Sequence, residues 1–152
     1  MILLIRHAHA VDRAEEHIGD EERWLTAKGR DVARRMGVAV RRRGVHIDEV
    51  WTSPLVRAVQ TAELVAGGAG YGGAVVVLVE LAPGGRLRRV AEALQASAGV
   101  VAAVGHEPDI STLAARLCGQ PAFPPFKKGQ VVAIDAAEVA WTLDPDKVDG
   151  RG

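Results

Sequence analysis

The chain has 152 residues, 48% of them hydrophobic and 25% charged, which fits one soluble globular domain with a substantial core. Lysine plus arginine balance aspartate plus glutamate at 19 each, so composition points to neither nucleic acid nor an anionic membrane as a default partner. The single cysteine, Cys118, excludes an internal disulfide, and no stretch approaches the roughly 20 apolar residues of a membrane span.

Residues 2–6 form an apolar run that ends in Arg6-His7-Ala8-His9 and predicts a buried strand with a polar tip. The apolar start is too short for a signal peptide and has no basic lead-in, so a cytoplasmic protein is expected. A polar loop follows to Arg23. From Thr26 to Arg43, Val32, Met36, Val38 and Val40 recur among arginines as on an amphipathic helix, which Gly44 ends. The cations of "RRRG" at its end offset the helix dipole. "DEVWTS" is a short strand, after which Ser53 as N-cap and Pro54 at the first helical position open a helix through "LVRAVQTAELVA".

The glycine-rich "GGAGYGGA" is a linker; it lacks the Gly-Lys-Ser/Thr ending of a phosphate-binding loop. "VVVLVEL" is β-branched enough for a buried strand. "GRLRRVAEALQAS" reads as helix, "GVVAAVG" as strand and "DISTLAARLCG" as helix. After a proline-rich loop, "QVVAIDAAEVAWTLD" reads as two strands and a turn. Residues 1–144 are expected to form one domain, with 145–152 as a frayed polar tail. Strand-helix alternation closed by a hairpin implies a three-layer α/β/α fold with a mostly parallel central sheet and a C-terminal β-hairpin.

Ligands in such sheets sit beyond the carboxyl ends of the strands. Three strand ends deliver Arg6 and His7, Arg57 by way of the following helix, and His106 to that edge, and Glu80 ends a fourth strand. Two guanidinium groups can hold phosphoryl oxygens by forked hydrogen bonds. A neutral His7 can attack phosphorus, and His106 can donate a hydrogen bond as charge develops. The arginines supply the positive charge, so the reading needs neither a metal nor a cofactor. The spacing of His7 and His9, with His106 as a third ligand, invites a metal site; adjacent arginines and the lack of a carboxylate weigh against it. His9 is then left at the pocket rim. Arg13 and Arg23 fit a solvated loop, and Lys127 and Lys128 can meet an acidic partner.

At these residues the sequence resembles the histidine phosphatase superfamily, also called phosphoglycerate mutase-like. "LIRHAHA" is similar to its nucleophile motif, "RWLTAKG" to the R-P-L-T-x-x-G stretch, "TSPLVRAVQTAELV" to S-P-x-x-R-A-x-Q-T-A and "VGHEPDIS" to the second-histidine motif. The resemblance implies that His7 is the phosphorylated nucleophile, that Arg6 and Arg57 bind the phosphate, and that His106 completes the catalytic pair. Glu80 is the candidate general acid. The short chain and the RHA spelling resemble the SixA-type phosphohistidine phosphatases. That implies a phosphorylated protein of the histidine-containing phosphotransfer type as partner, with a small phosphorylated metabolite as the alternative and a non-catalytic phosphate-binding module as a third reading. Ala8 stands where the commoner motif has glycine, which requires that its φ be negative. Trp24 stands where the subgroup often has proline.

Overall fold

A computed structural model describes residues 1–149. Its centre is a six-stranded sheet in the order β3-β2-β4-β1-β5-β6, built from β1 (Ile2–Arg6), β2 (Glu49–Thr52), β3 (Val75–Val77), β4 (Val101–Gly105), β5 (Val131–Asp135) and β6 (Glu138–Leu143). The first four strands are mutually parallel where they pair; β5 runs antiparallel to β1, and β6 antiparallel to β5. The helices are α1 (Arg13–Glu16), α2 (Ala27–Arg42), α3 (Val56–Ala69), α4 (Leu87–Ala96) and α5 (Asp109–Leu117).

Alternation along the central strands divides the core in two. Leu3 and Ile5 of β1, with Ala102 and Val104 of β4, pack beneath Met36 and Val40 of α2 and Ala62 and Val65 of α3. Leu4, Val101 and Ala103 face the other way, toward Val90 and Leu94 of α4 and Ile110 and Leu113 of α5. This is the expected α/β/α arrangement with its C-terminal hairpin. β1 lies between β4 and β5 with helices over both faces, so its apolar run is covered and its polar tip emerges mid-sheet.

Four local readings change. Helix α3 begins at Val56, with Leu55 as its cap, rather than at Pro54. Ser53 still extends the ladder, its N–H donating to the Val104 carbonyl at 3.0 Å, and its hydroxyl bonds a histidine. The same helix runs on through Gly67 and Gly68 and is closed by Gly70 at φ 75°. "VVVLVEL" is an edge strand of three residues followed by a 3₁₀ turn, Val79–Leu81. Strand propensity alone does not distinguish an edge from a centre, and Val79 is 72% exposed. The segment after β1 holds α1 and a 3₁₀ turn, Asp20–Glu22. Of the expected tail, residues 150–152 lie outside the described residues. Its first part is pinned, with Lys127 paired to Asp144 and Asp146 and Arg35 donating to the Val148 carbonyl at 2.7 Å.

Helices α2 and α3 approach closely through glycines. A Cβ on Gly37 would collide with the Val65 carbonyl, and one on Gly68 with the Arg34 carbonyl. This contact seats α3, which carries Arg57. Helix propensity alone makes Gly37→Ala stabilising by about 1 kcal/mol; overpacking at the crossing is expected to reverse the sign and destabilise by about 1–3 kcal/mol. Denaturant unfolding checks which sign prevails.

Candidate active site

The parallel strands end together, and their ends gather Arg6, His7, Arg57 and His106 into one pocket. His7 and His106 are 7% and 3% exposed, with ring centroids 5.1 Å apart. The main chain around His7 is held from two sides. The His7 N–H donates to the Gly105 carbonyl, and Gly129 N–H donates to the Arg6 and His7 carbonyls. Ala8 N–H donates to Thr61 Oγ1 at 3.0 Å, and that hydroxyl donates to the Arg57 carbonyl at 2.7 Å, tying the end of β1 to α3. Ala8 is fully buried, and its φ is not positive, so alanine fits where the commoner motif has glycine.

Hydrogen bonding selects the tautomer of each histidine. His7 Nδ1 lies 2.8 Å from the Ala8 carbonyl. A carbonyl only accepts, so Nδ1 carries the proton and Nε2 keeps its lone pair. His106 Nε2 lies 2.7 Å from Ser53 Oγ, which also accepts the Leu55 N–H at 3.3 Å. Among the described residues His106 is the hydroxyl's sole acceptor, so Ser53 donates to Nε2 and the proton of His106 resides on Nδ1.

The two arginines are anchored alike. Arg6 Nη1 donates to the Phe126 carbonyl at 2.7 Å, and Arg57 Nη1 to the Asp20 carbonyl at 2.7 Å. Arg57 Nη2 also pairs with the Asp20 carboxylate at 3.1 Å. Three buried polar atoms have no partner among the described residues: Arg6 Nε, Arg57 Nε and His106 Nδ1. With the tautomers above, all three are donors. Buried unsatisfied donors are costly, and three of them in one pocket, two on guanidinium groups, match a tetrahedral oxyanion such as phosphate.

Electrostatics keeps both rings neutral. Burial pushes His7 down to about 3; the Ala8 bond offsets this in part, and repulsion from His106, Arg57 and Arg6 adds to it. Burial, then the Arg57 charge, pushes His106 down to about 4, against an opposing pull from Asp20. Burial also lowers Arg6, partly countered by Glu107. The Asp20 carboxyl behaves oppositely. Its partial burial favours the neutral acid, but the hydrogen bond from Arg23 and the adjacent Arg57 charge hold it below the usual carboxylate value.

The remaining candidates lie elsewhere. Glu80 sits in the 3₁₀ turn after β3 and lines a separate groove with Arg86 and Arg89. His9 is exposed, its Nδ1 2.9 Å from Thr26 Oγ1 and away from the other two histidines. Arg23 is pinned to the Val11 carbonyl and to Asp20. Sequence reasoning missed Asp20, Thr61 and the site role of Ser53. Asp20 sits in the acidic run "GDEE", which looks like solvated loop. Ser53 carried a signal, since a polar side chain at a β2 end belongs to the same edge as the others.

Comparison with known proteins gives both a matching family and solved relatives. Residues 2–82 match the family model of the histidine phosphatase superfamily (branch 1). The phosphohistidine phosphatase SixA of Escherichia coli strain K12 is 31% identical, over 95% of this chain and 93% of the relative. The solved structure of the protein histidine phosphatase SixA complexed with tungstate superposes with a TM-score of 0.86 at 30% identity, covering 97% of this chain and 99% of that one. A phosphoserine phosphatase from Entamoeba histolytica shares the fold, with a TM-score of 0.67 at 14% identity over 93% of this chain and 95% of that one.

Neutral rings well below the ordinary histidine range have a kinetic signature. Activity that needs them neutral is lost only as falling pH protonates them. We expect kcat/KM, corrected for the substrate's own ionisation, to stay level from pH 8 to about 5 and to fall toward the values of about 4 and 3 at the two rings. A break near 6.5 would contradict the assignment. Asp20→Asn keeps the backbone anchor of Arg57 but removes the ion pair. It is expected to lower kcat/KM by roughly 10- to 100-fold, the equivalent of a charge-assisted bond of about 1.5–3 kcal/mol. Steady-state kinetics on one substrate checks this.

Proposed function

Because this chain belongs to the histidine phosphatase superfamily, and is thus a phosphatase, we propose that it removes the phosphoryl group from phosphohistidine on a protein, through a phosphohistidine of its own. His7 Nε2 holds the free lone pair and attacks phosphorus. The substrate ring first takes a proton from solvent on its other nitrogen; the bond from phosphorus to the phosphorylated nitrogen then breaks, that nitrogen keeps the electron pair, and the ring leaves as neutral imidazole. Arg6 Nε, Arg57 Nε and His106 Nδ1 donate to the phosphoryl oxygens during both steps. Water then attacks the phosphorus on His7 and loses a proton. Inorganic phosphate leaves, and His7 returns to its neutral form.

The observation that carries the substrate class is the state of Asp20. It is the carboxylate hydrogen-bonded to the pocket's arginine, and Arg57 and Arg23 hold it ionised. An ionised carboxylate cannot protonate a leaving alkoxide, which a phosphate ester needs. A leaving imidazole is far less basic than an alkoxide and departs without a strong acid. Transfer from one imidazole to another also exchanges one P–N bond for another, so the first step is nearly balanced. Glu80, expected as general acid, lines another groove and has no assigned role in this mechanism. The Escherichia coli relative, a phosphohistidine phosphatase, supports the same class. The fold is shared with a phosphoserine phosphatase, so ester hydrolysis is the competing reading.

A substrate panel separates the two. A histidine-phosphorylated phosphotransfer domain is expected to exceed phosphoserine and sugar phosphates in kcat/KM by roughly 100-fold or more, the scale of a missing general acid. His7→Ala is expected to abolish turnover and the acid-labile phosphoenzyme while leaving the circular dichroism spectrum unchanged. Faster hydrolysis of the esters overturns the proposal.

A further inference from the structure

Beside the pocket lies an open groove of about 350 Å³ whose walls include His9, Lys28, Arg35, Lys127 and Lys128. Its cations are not equivalent. Lys127 is paired with Asp144 and Asp146 at 2.9 Å each, and Arg35 with Asp31 at 2.9 Å. Lys28 and Lys128 have no ion-pair partner among the described residues, though the whole chain is neutral.

Backbone hydrogen bonds set both lysines at the pocket's edge. Lys128 precedes Gly129, whose N–H binds the Arg6 and His7 carbonyls. Lys28 lies in the first turn of α2, whose cap Thr26 bonds both the ring and the carbonyl of His9, two residues past His7. Burial lowers Lys128, and repulsion from Arg6, Arg23 and Lys28 lowers it further. The same cations, Lys128, Lys28 and Arg23, lower His9 after burial. These groups therefore share one field at the mouth of the pocket.

We propose that Lys28 and Lys128 form a docking rim for the substrate protein, and that they engage carboxylates flanking its phosphohistidine. This rests on the phosphohistidine reading above. The chemistry of the two zones distinguishes a docking rim from a second phosphate subsite. The pocket presents an anion with the unpartnered Nε of two backbone-anchored guanidinium groups, Arg57 buried and Arg6 half-buried. The rim presents exposed ammonium groups on flexible stems, which act as point charges with no fixed geometry. Such groups steer and register an acidic surface across a wide contact. They do not build a cradle for a single phosphate.

The test pairs the Lys28→Gln/Lys128→Gln variant with two substrates. One is a phosphotransfer domain phosphorylated on histidine and flanked there by aspartate or glutamate; the other is free phosphohistidine. For the domain, kcat/KM is expected to fall by about tenfold or more, through KM, and its decline with added salt to flatten. For free phosphohistidine it is expected to stay within about twofold, since neither lysine touches the pocket's donors. Neutralising the partner's flanking carboxylates should produce the same loss in the wild type and little further loss in the variant. An equal loss on both substrates overturns the proposal, because the lysines then act on the pocket itself. No loss on either overturns it as well. If the wild-type enzyme turns over free phosphohistidine but not the phosphorylated domain, the protein-substrate reading fails first, and the rim falls with it.

Discussion

Two guanidinium groups are sunk into the carboxyl edge of the sheet, and the site depends on how their charge is tolerated there. Removing a cation from water is expensive unless it is paired and hydrogen-bonded. Arg57, 5% exposed, has one carboxylate and one carbonyl, both from Asp20. Arg6 has the Phe126 carbonyl, with Glu107 acting on it at longer range. In each case Nη1 anchors the group and Nε is left bare toward the pocket. The compensation is incomplete, and on the proposed function a phosphoryl group completes it. Positive potential in a largely buried site is thus a cost of folding and, on the proposed function, the source of anion affinity.

The same potential prepares the histidines. A buried imidazole beside two arginines resists protonation, so His7 keeps a nucleophilic lone pair at neutral pH without an adjacent general base. Its tautomer comes from a backbone carbonyl, whereas that of His106 comes from a serine hydroxyl at the end of a different strand. Each ring is oriented by a group that the sheet positions for reasons of its own. Register matters here: Arg6 pairs with Gly105 across β1 and β4, which places His7 and His106 as the first residue beyond each strand.

Much of this was legible in the residues. Apolar runs ending in arginine or histidine located the edge, and the ligand rule for parallel sheets turned four scattered residues into one pocket. The fold class followed from strand-helix alternation. The misreadings share a cause: they concern segments whose state is set by tertiary contact rather than by local propensity. Val75–Val77 looks central by composition but pairs on one side only. Ser53 looks like a helix cap, yet its hydroxyl is directed by His106, more than fifty positions away. Asp20 looks like one of several solvated acids, because nothing local shows that its chain curls back onto Arg57.

Asp20 also bears on selectivity. If Arg57 binds phosphate as proposed, a carboxylate paired with it lowers the pocket's net charge and weakens affinity for any free phosphate, including the product. In exchange it fixes the guanidinium by two bonds and directs Nε inward. On the proposed mechanism, product release would benefit from the weaker attraction and phosphoryl transfer from fixed geometry, since orientation rather than ground-state binding lowers the barrier. On the proposed function, a pocket tuned this way would hold a lone phosphate less tightly than two unpaired arginines would. Affinity for a particular phosphorylated molecule must then come from contacts outside the pocket, and the unpaired lysines of the rim are placed to supply them.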